Sequence, residues 1–327
     1  MAERTAIQEL VQLGMEVTEG TAVPATVILQ SMMIDFTPQV NTKNVRAAGF
    51  KFPSQTNLNK EWSSARVTGA PTFEEIVYPL SSLMKKVTPV PGGTTSKVWT
   101  FDPSTTALET VQSFSVEKGQ TVRAESMPGA KFDSFGLNVT RDDTAVQGTM
   151  LAKAISDNIT MAVGATQLGL HPILPTYWSI YLDPTSTALG TTKLLRVAEF
   201  DWMYAAQWGP LWSVNAANQS YATTVQTEPK FTGSLVMEQD AAGMLQLTNL
   251  RAGTPIFIRA EAIGPQIDVG PPIHSYRVTA DFAFKVAGMT EGVRDAVQIV
   301  TWPLEINHDT TWGRAVKIVV ENTAAAL

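Results

Sequence analysis

The chain of 327 residues contains no cysteine. A disulfide framework, a Cys-based zinc ribbon, an iron–sulfur site and a thiol nucleophile are therefore excluded, and the redox compartment stays open. Histidine is nearly as scarce: only His171, His274 and His308 occur, and no two stand at metal-ligand spacing. Charged residues make up 17%, against about 25% in an ordinary soluble domain. Bases are fewer than acids, 24 against 30, for a net charge of −6. A nucleic-acid-binding module needs a cationic surplus, so this balance argues against one. No apolar run approaches the ~18 residues of a membrane-spanning helix. The first ten residues carry acids and no apolar core, unlike a secretory signal, so the expectation is a chain folded in a cytoplasm.

What is present points to strands. Hydrophobic residues reach 44%, enough for a packed core, and the length suits two domains at about 150 residues each. Threonine occurs 39 times, and its branched side chain fits a pleated surface. From Ile273 onward, His274, Tyr276, Val278, Ala280, Phe282, Phe284 and Val286 alternate with Ser275, Arg277, Thr279, Asp281 and Lys285, a period of two that predicts a strand with one buried face. Asp295–Asn307 repeats the pattern with Ala296, Val300, Trp302, Leu304 and Ile306, after a turn at 288–292, and Val316, Ile318 and Val320 mark a last strand. In the first half, Ala25–Thr37 and Lys97–Asp102 read as strands. Ser113–Val116 and Thr121–Ala124 read as a hairpin about Glu117-Lys118-Gly119-Gln120, and Phe132–Thr140 and Thr144–Ala154 as another about Arg141-Asp142-Asp143. The fold class is mostly β.

Two helices interrupt the strands. Phe73, Ile76, Val77, Leu80, Leu83 and Met84 form one apolar stripe, with Thr72 and Glu75 as a capping box, Lys85 and Lys86 at the negative end, and Pro79 bending the rod. Asp240–Ala252 places Met244, Leu247 and Leu250 on one side and ends at Gly253. Thr68-Gly69 and Thr232-Gly233 are 164 residues apart, Asp35 and Asp201 166, Leu83 and Leu250 167, so a tandem duplication is expected. Gln167–Thr192, with Pro172, Pro175 and Pro184, reads as the connection. The division expected is 1–165, a linker at 166–189, and 190–327. Each half carries a long polar segment, Pro38–Ser64 and Tyr204–Pro229, of a kind suited to reaching a neighbouring subunit. The first, with Phe50 and Phe52 as anchors, is expected to be mobile in the free protein and ordered in a polymer.

Catalytic patterns are missing. There is no P-loop, no Gly-rich strand-to-helix turn and no Gly-x-Ser-x-Gly elbow, and Pro91-Gly92-Gly93 lies in the wrong order for phosphate capture. His274 sits on an apolar strand face and His308-Asp309 at a strand end. Asp142-Asp143 fits a turn and Glu74-Glu75 a helix N-terminus, where acids belong without chemistry. The sequons at Asn138, Asn158 and Asn218 carry no weight without a signal peptide. Eight tryptophans, six of them after residue 170, fit either a sugar-binding surface or a subunit interface. No catalytic, cofactor-binding or metal residue is assigned, and no enzyme is expected.

Several phrases resemble one family. Gly14–Leu29, with Glu16-Val17-Thr18-Glu19-Gly20-Thr21-Ala22, resembles the opening of the tail tube (major tail) proteins of long-tailed, siphovirus-type bacteriophages. Phe73–Leu83, Trp99-Thr100-Phe101, Ser115–Gly119, Pro128–Thr140, Trp302–Glu305 and Asp309–Lys317 are similar to later parts of that family. A single tube domain is about half this length, so the resemblance implies two tandem β-barrel or β-sandwich tail-tube-like domains, each with one flanking helix. It further implies a structural virion protein, assembled in the host bacterial cytoplasm and located in the tail. Three chains would form a pseudo-sixfold ring, and rings would stack into a tube. Tape measure and terminator or tip proteins are the other implied partners, and DNA would pass through the lumen without specific binding. No membrane partner is implied. The alternative from another class is a carbohydrate-binding or adhesin-type β-sandwich.

Overall fold

The computed structural model describes residues 6–120, 122–214 and 219–327; the sequon at Asn218 lies outside them. Strands hold 54% of the chain and helices 8%, so the protein is mostly β. The first half contributes β1 (Leu10–Met15), β2 (Val27–Leu29), β3 (Met32–Val45), β4 (Gln55–Gly69), α1 (Val77–Leu83), β5 (Val90–Pro91), β6 (Lys97–Phe101), β7 (Phe114–Gln120), β8 (Arg123–Thr140), β9 (Thr144–Ala152) and β10 (Ser156–Ile159). There follow β11 (Thr166–Gln167), β12 (Trp178–Asp183), β13 (Val197–Ala205), β14 (Trp208–Leu211), β15 (Thr223–Gln226), β16 (Lys230–Glu238), α2 (Ala241–Met244) and α3 (Gln246–Ala252). The chain ends with β17 (Ile256–Asp268), β18 (His274–Val286), β19 (Thr290–Arg294), β20 (Val297–Ile306) and β21 (Val316–Asn322).

One order of antiparallel pairing occurs twice. In the first half it is β1·β7, β7·β8, β8·β10, β8·β9, β9·β4 and β4·β3. In the second it is β12·β17, β17·β18, β18·β21, β18·β20, β20·β16 and β16·β13. Ile34 and Phe36 on β3 occupy the places of Phe200 and Trp202 on β13, and Asp35 that of Asp201, between them. Ala65 stands opposite Phe36 and Gly233 opposite Trp202, so Gly233 matches Ala65. The Thr68-Gly69 and Thr232-Gly233 pairs are therefore not equivalent, although their spacing suggested it.

The halves share one core. Ring contacts run from Phe114 to Phe132, Phe135, Trp202 and Phe231, with centroids 5.5–6.4 Å apart. Strands cross the divide as well: β8 pairs with β13, β21 with β6, and β11 runs parallel to β2. Trp99 donates through Nε1 to Asn322 Oδ1 at 3.0 Å, and Asn322 Nδ2 donates to the Phe73 carbonyl at 2.9 Å. The segment expected as a linker, 166–189, holds β11 and β12, and β12 pairs along β17. It is integrated because Tyr177 packs against Phe73 and Trp178 Nε1 donates to Thr144 Oγ1.

The helices depart from expectation in instructive ways. α1 begins at Val77, so Pro79 lies in its first turn, where its missing N–H has no intrahelical acceptor and costs no helical hydrogen bond. All seven of its residues are buried, which removes the polar face of a surface helix. Thr72 Oγ1 accepts from the Glu75 N–H, but the Glu75 carboxylate turns away to the Ser31 N–H and hydroxyl, so no capping box closes. In the second half, Asp240 caps α2 by accepting from the Gly243 N–H at 2.8 Å, and Gly253 ends α3 in the left-handed region at φ 62°.

Two turns also differ. β7 continues through Glu117–Gln120, and Gln120 pairs with Arg123, so the expected turn residues are strand. Residues 290–294, expected in the turn at 288–292 and just after it, form β19, which pairs with β20 across Asp295 and Ala296, both at positive φ (51° and 64°).

Candidate assembly surface

The β8·β13 joint turns two four-stranded arrays into one antiparallel sheet of order β3-β4-β9-β8-β13-β16-β20-β19. At the joint, Phe200 faces Val139, Trp202 faces Leu137 and Met203 faces Gly136. Gly136 is needed here because a Cβ would stand 2.1 Å from the Trp202 carbonyl oxygen. One face of the sheet carries the core side chains Ile34, Val67, Val146, Leu137, Trp202, Leu235 and Trp302, all buried. The alternate positions carry Thr37, Thr68, Gln147, Ser134, Asn138, Ser234 and Thr301, none of them buried.

Charge on that polar face is nearly balanced: Asp35, Glu199, Asp201, Glu238 and Glu305 stand among Arg66, Lys230, Lys285 and Arg294. Burial pushes the Asp201 carboxyl above the ordinary carboxylate range, the Ser234 hydroxyl opposes this by donating to it, and neighbouring Glu199 adds to the rise. A face with this mixture has no band of cations to hold a phosphate backbone.

The sheet ends in two unpaired edges. Among the described residues, β3 pairs only with β4, and β19 only with β20. Such edges present free N–H and C=O groups, a template for another chain. Val293 on β19 is 64% exposed although its register places it on the core side of the sheet, beside Gln298.

A hairpin arm extends the β3 edge. Pro38–Ser64 is not irregular: β3 and β4 stay paired out to Val45 opposite Gln55. Past Ser63, the last residue of β4 paired with β9, no third strand among the described residues covers the arm. Its tip exposes Phe50 (64%) and Phe52 (70%). The other long segment, Tyr204–Pro229, folds back as the β14–β15 hairpin, and residues 215–218 lie outside the described set. Trp212 packs edge-on against Trp62 and Tyr221, and Lys60 Nζ lies 4.6 Å from the Trp212 ring.

No family model and no curated protein sequence matches this chain.

Asn41, Lys60, Trp62, Asp133, Trp208 and Trp212 line a cleft of about 570 Å³ at the base of the arm. Trp208 is held in it by donating to the Phe132 carbonyl, while its backbone N–H donates to Asp133. Among the histidines, His171 Nδ1 lies 2.5 Å from Glu74 Oε1 and its ring stacks on Tyr276 at 4.2 Å. Burial raises the Glu74 carboxyl, against the opposing pull of His171, and burial also raises Tyr276. These groups come from the approach to α1, the connecting segment and β18, and so tie the halves together. His274 Nδ1 pairs with Glu321 Oε1 at 2.5 Å, binding β18 to β21. His308 lies in the turn after β20, and Asp142-Asp143 in the β8–β9 turn, as expected. Glu75 braces the β2–β3 corner through Ser31. Gly92 and Gly93 make room for Ser96, Glu321, Asp268 and His274. The arm was legible as a long polar segment, but its pairing as a hairpin and the joint left no signature in the sequence: the arm has two solvated faces, and the joint is a contact between distant strands.

Proposed function

We propose that the protein is a structural tail tube subunit of a long-tailed bacteriophage. Each chain supplies two tandem tube-like β units, three chains close a ring, and stacked rings form the conduit for DNA ejection in the virion tail. The observation that carries this reading is the edge-to-edge joint. Two arrays of the same pairing order meet at β8·β13, and the corresponding edges, β3 and β19, remain free at the two ends of the sheet. An interface between unlike edges is head-to-tail and generates a ring when the rotation closes. Closure removes the exposed edges, which are otherwise a hazard. The polar, nearly charge-balanced face suits a lumen through which DNA slides rather than binds. The protruding β3–β4 hairpin suits contact between rings. Tape measure and terminator or tip proteins would complete the tail.

Electron microscopy of the negatively stained, purified protein tests this directly. Rings and tubes are expected, with three chains per ring by mass. A monomer that persists at high concentration would overturn the reading. Assembled tubes should bind duplex DNA only weakly at physiological salt and with a shallow salt slope; tight, steeply salt-dependent binding would refute the passive lumen.

The tryptophan-lined cleft favours one second reading, a glycan-binding β-sandwich. Indole faces stack on sugar rings, and Lys60, Asn41 and Asp133 could take hydroxyl groups. Saturable glycan binding by a monomer that forms no rings would select it.

A further inference from the structure

The internal joint specifies how two copies would meet, residue by residue. Two independent routes give the correspondence between β8 and the β18–β19 segment. The first passes through the sheet. Gly69 on β4 matches Met237 on β16, because Ala65 matches Gly233. Gly69 faces Val146, which faces Leu137; Met237 faces Val300, which faces Glu291. Leu137 therefore matches Glu291. The second route starts from the other end of the strand. β7 begins at Phe114 opposite Ala130, and β17 begins at Ile256 opposite Phe284. Leu137 follows Ala130 by seven residues and Glu291 follows Phe284 by seven. The two routes agree.

The free sides agree too. On β8, β7 and β13 lie along the side away from β9, one after the other. On β18–β19, β17 occupies the matching side up to Phe284, and beyond it the β19 edge is open. That opening is where the counterpart of β13, the β3 strand of another copy, would fit.

We infer, on the basis of the ring reading above, that β3 of one copy adds antiparallel to β19 of the next, with Met33 opposite Arg294, Ile34 opposite Val293, Asp35 opposite Gly292, Phe36 opposite Glu291 and Thr37 opposite Thr290. The occupant is a second copy of this chain because the template joins two units of the same pairing order. Chemistry at the contact is compatible. Exposed Val293 gains an apolar neighbour in Ile34, and Asp35 and Arg294, paired within the chain with Lys118 and Glu199, lie diagonal to each other, so that their opposite charges extend one network across the contact. Thr290 takes the place of Gly136 and Thr37 that of Met203, so these two strands must stand slightly farther apart than β8 and β13 do, where a Cβ at Gly136 would come within 2.1 Å of the Trp202 carbonyl oxygen.

The cysteine-free background allows a clean test. Directly opposed strand residues lie about 4.5–5.5 Å apart at Cα, within disulfide range. Assemblies of Thr37→Cys/Thr290→Cys, oxidised after formation, should yield covalent dimers and trimers on a non-reducing gel, at least tenfold more than Thr37→Cys/Arg294→Cys, whose pair is out of register. The two positions stand at opposite edges of the chain's own sheet, so any bond formed is between copies. Unmodified protein gives a second measurement: hydrogen exchange in 33–38 and 290–294 should slow at least tenfold on assembly. Rings that cross-link preferentially through the out-of-register pair, or that leave exchange in both segments unchanged, would overturn this register while leaving the tail tube reading intact. Failure of the unmodified protein to form rings would remove the reading itself, and this inference with it.

Discussion

Gly136→Ala is the sharpest probe of the joint between the two halves. The added Cβ would lie 2.1 Å from the Trp202 carbonyl oxygen and 2.9 Å from Met203 Cα, whereas ordinary contact begins near 3.4 Å. Both atoms belong to backbone, so no side chain can swing away. The strands must separate locally by about 1 Å, which loosens one or two ladder hydrogen bonds at about 1 kcal/mol each. Overpacking in the adjoining core, where Trp202 meets Phe135 and Phe231, adds about 1–3 kcal/mol. Together the cost is about 2–5 kcal/mol, or roughly 3–7 °C in Tm for a chain of this size. Thermal unfolding followed by circular dichroism measures it. Gly288→Ala is the control, since its nearest neighbour would be Pro303 Cγ at 3.9 Å, and it should melt with the parent protein. A Gly136→Ala protein with unchanged Tm would refute the close β8·β13 contact, and with it the template for pairing between copies.

Two further outcomes are expected. Excising 41–60 and joining Val40 to Glu61, which already face each other, through an Asn-Gly turn should leave a folded protein. It should form rings but not tubes by electron microscopy; normal tubes would deny the arm its role between rings. Asp201→Asn should hold or raise stability at neutral pH. Its folded-state pKa lies above the unfolded value, so the favourable contribution of this group is complete below the ordinary carboxylate pKa and is lost as pH rises through the raised folded value. Removing the charge should gain on the order of 0.5 kcal/mol at pH 7 by urea unfolding. A clear loss at pH 7 would show that the carboxylate is stabilised where it stands.

The strands that could be read from the sequence share one property, a single buried face. β18, β20 and β21 alternate because one side meets the core and the other meets solvent or polar neighbours, so side-chain chemistry records the pleat. The β8–β9 hairpin was legible for the same reason, as was Gly253, whose C-cap role depends only on local backbone, whereas Asp240, read as the first helical residue, caps α2 instead. The arm was legible as a long polar segment but not as paired strands: beyond Ser63 both faces of β3 and β4 are largely solvated, and Val40, Val45, Leu58 and Trp62 fall among polar residues without a period. β19 escaped notice because its turn uses Asp295 and Ala296 at positive φ instead of the usual Asn-Gly. α1 looked amphipathic and bent, yet lies wholly inside, because burial of Ser81 and Ser82 depends on partners far along the chain: Ser82 Oγ accepts from the Phe132 N–H.

The sequence by itself determined the mostly β class, the Gly253 end of the second-half helix and the absence of any thiol, because composition and local chemistry are sufficient for each. Tertiary structure alone decided which strands meet. The β8·β13 joint, the exchange of β6 and β21 across the halves and the two open edges depend on hydrogen bonds between backbones far apart in the chain. Those N–H and C=O groups are the same in almost every residue, so side-chain sequence carries only an indirect record of their pairing.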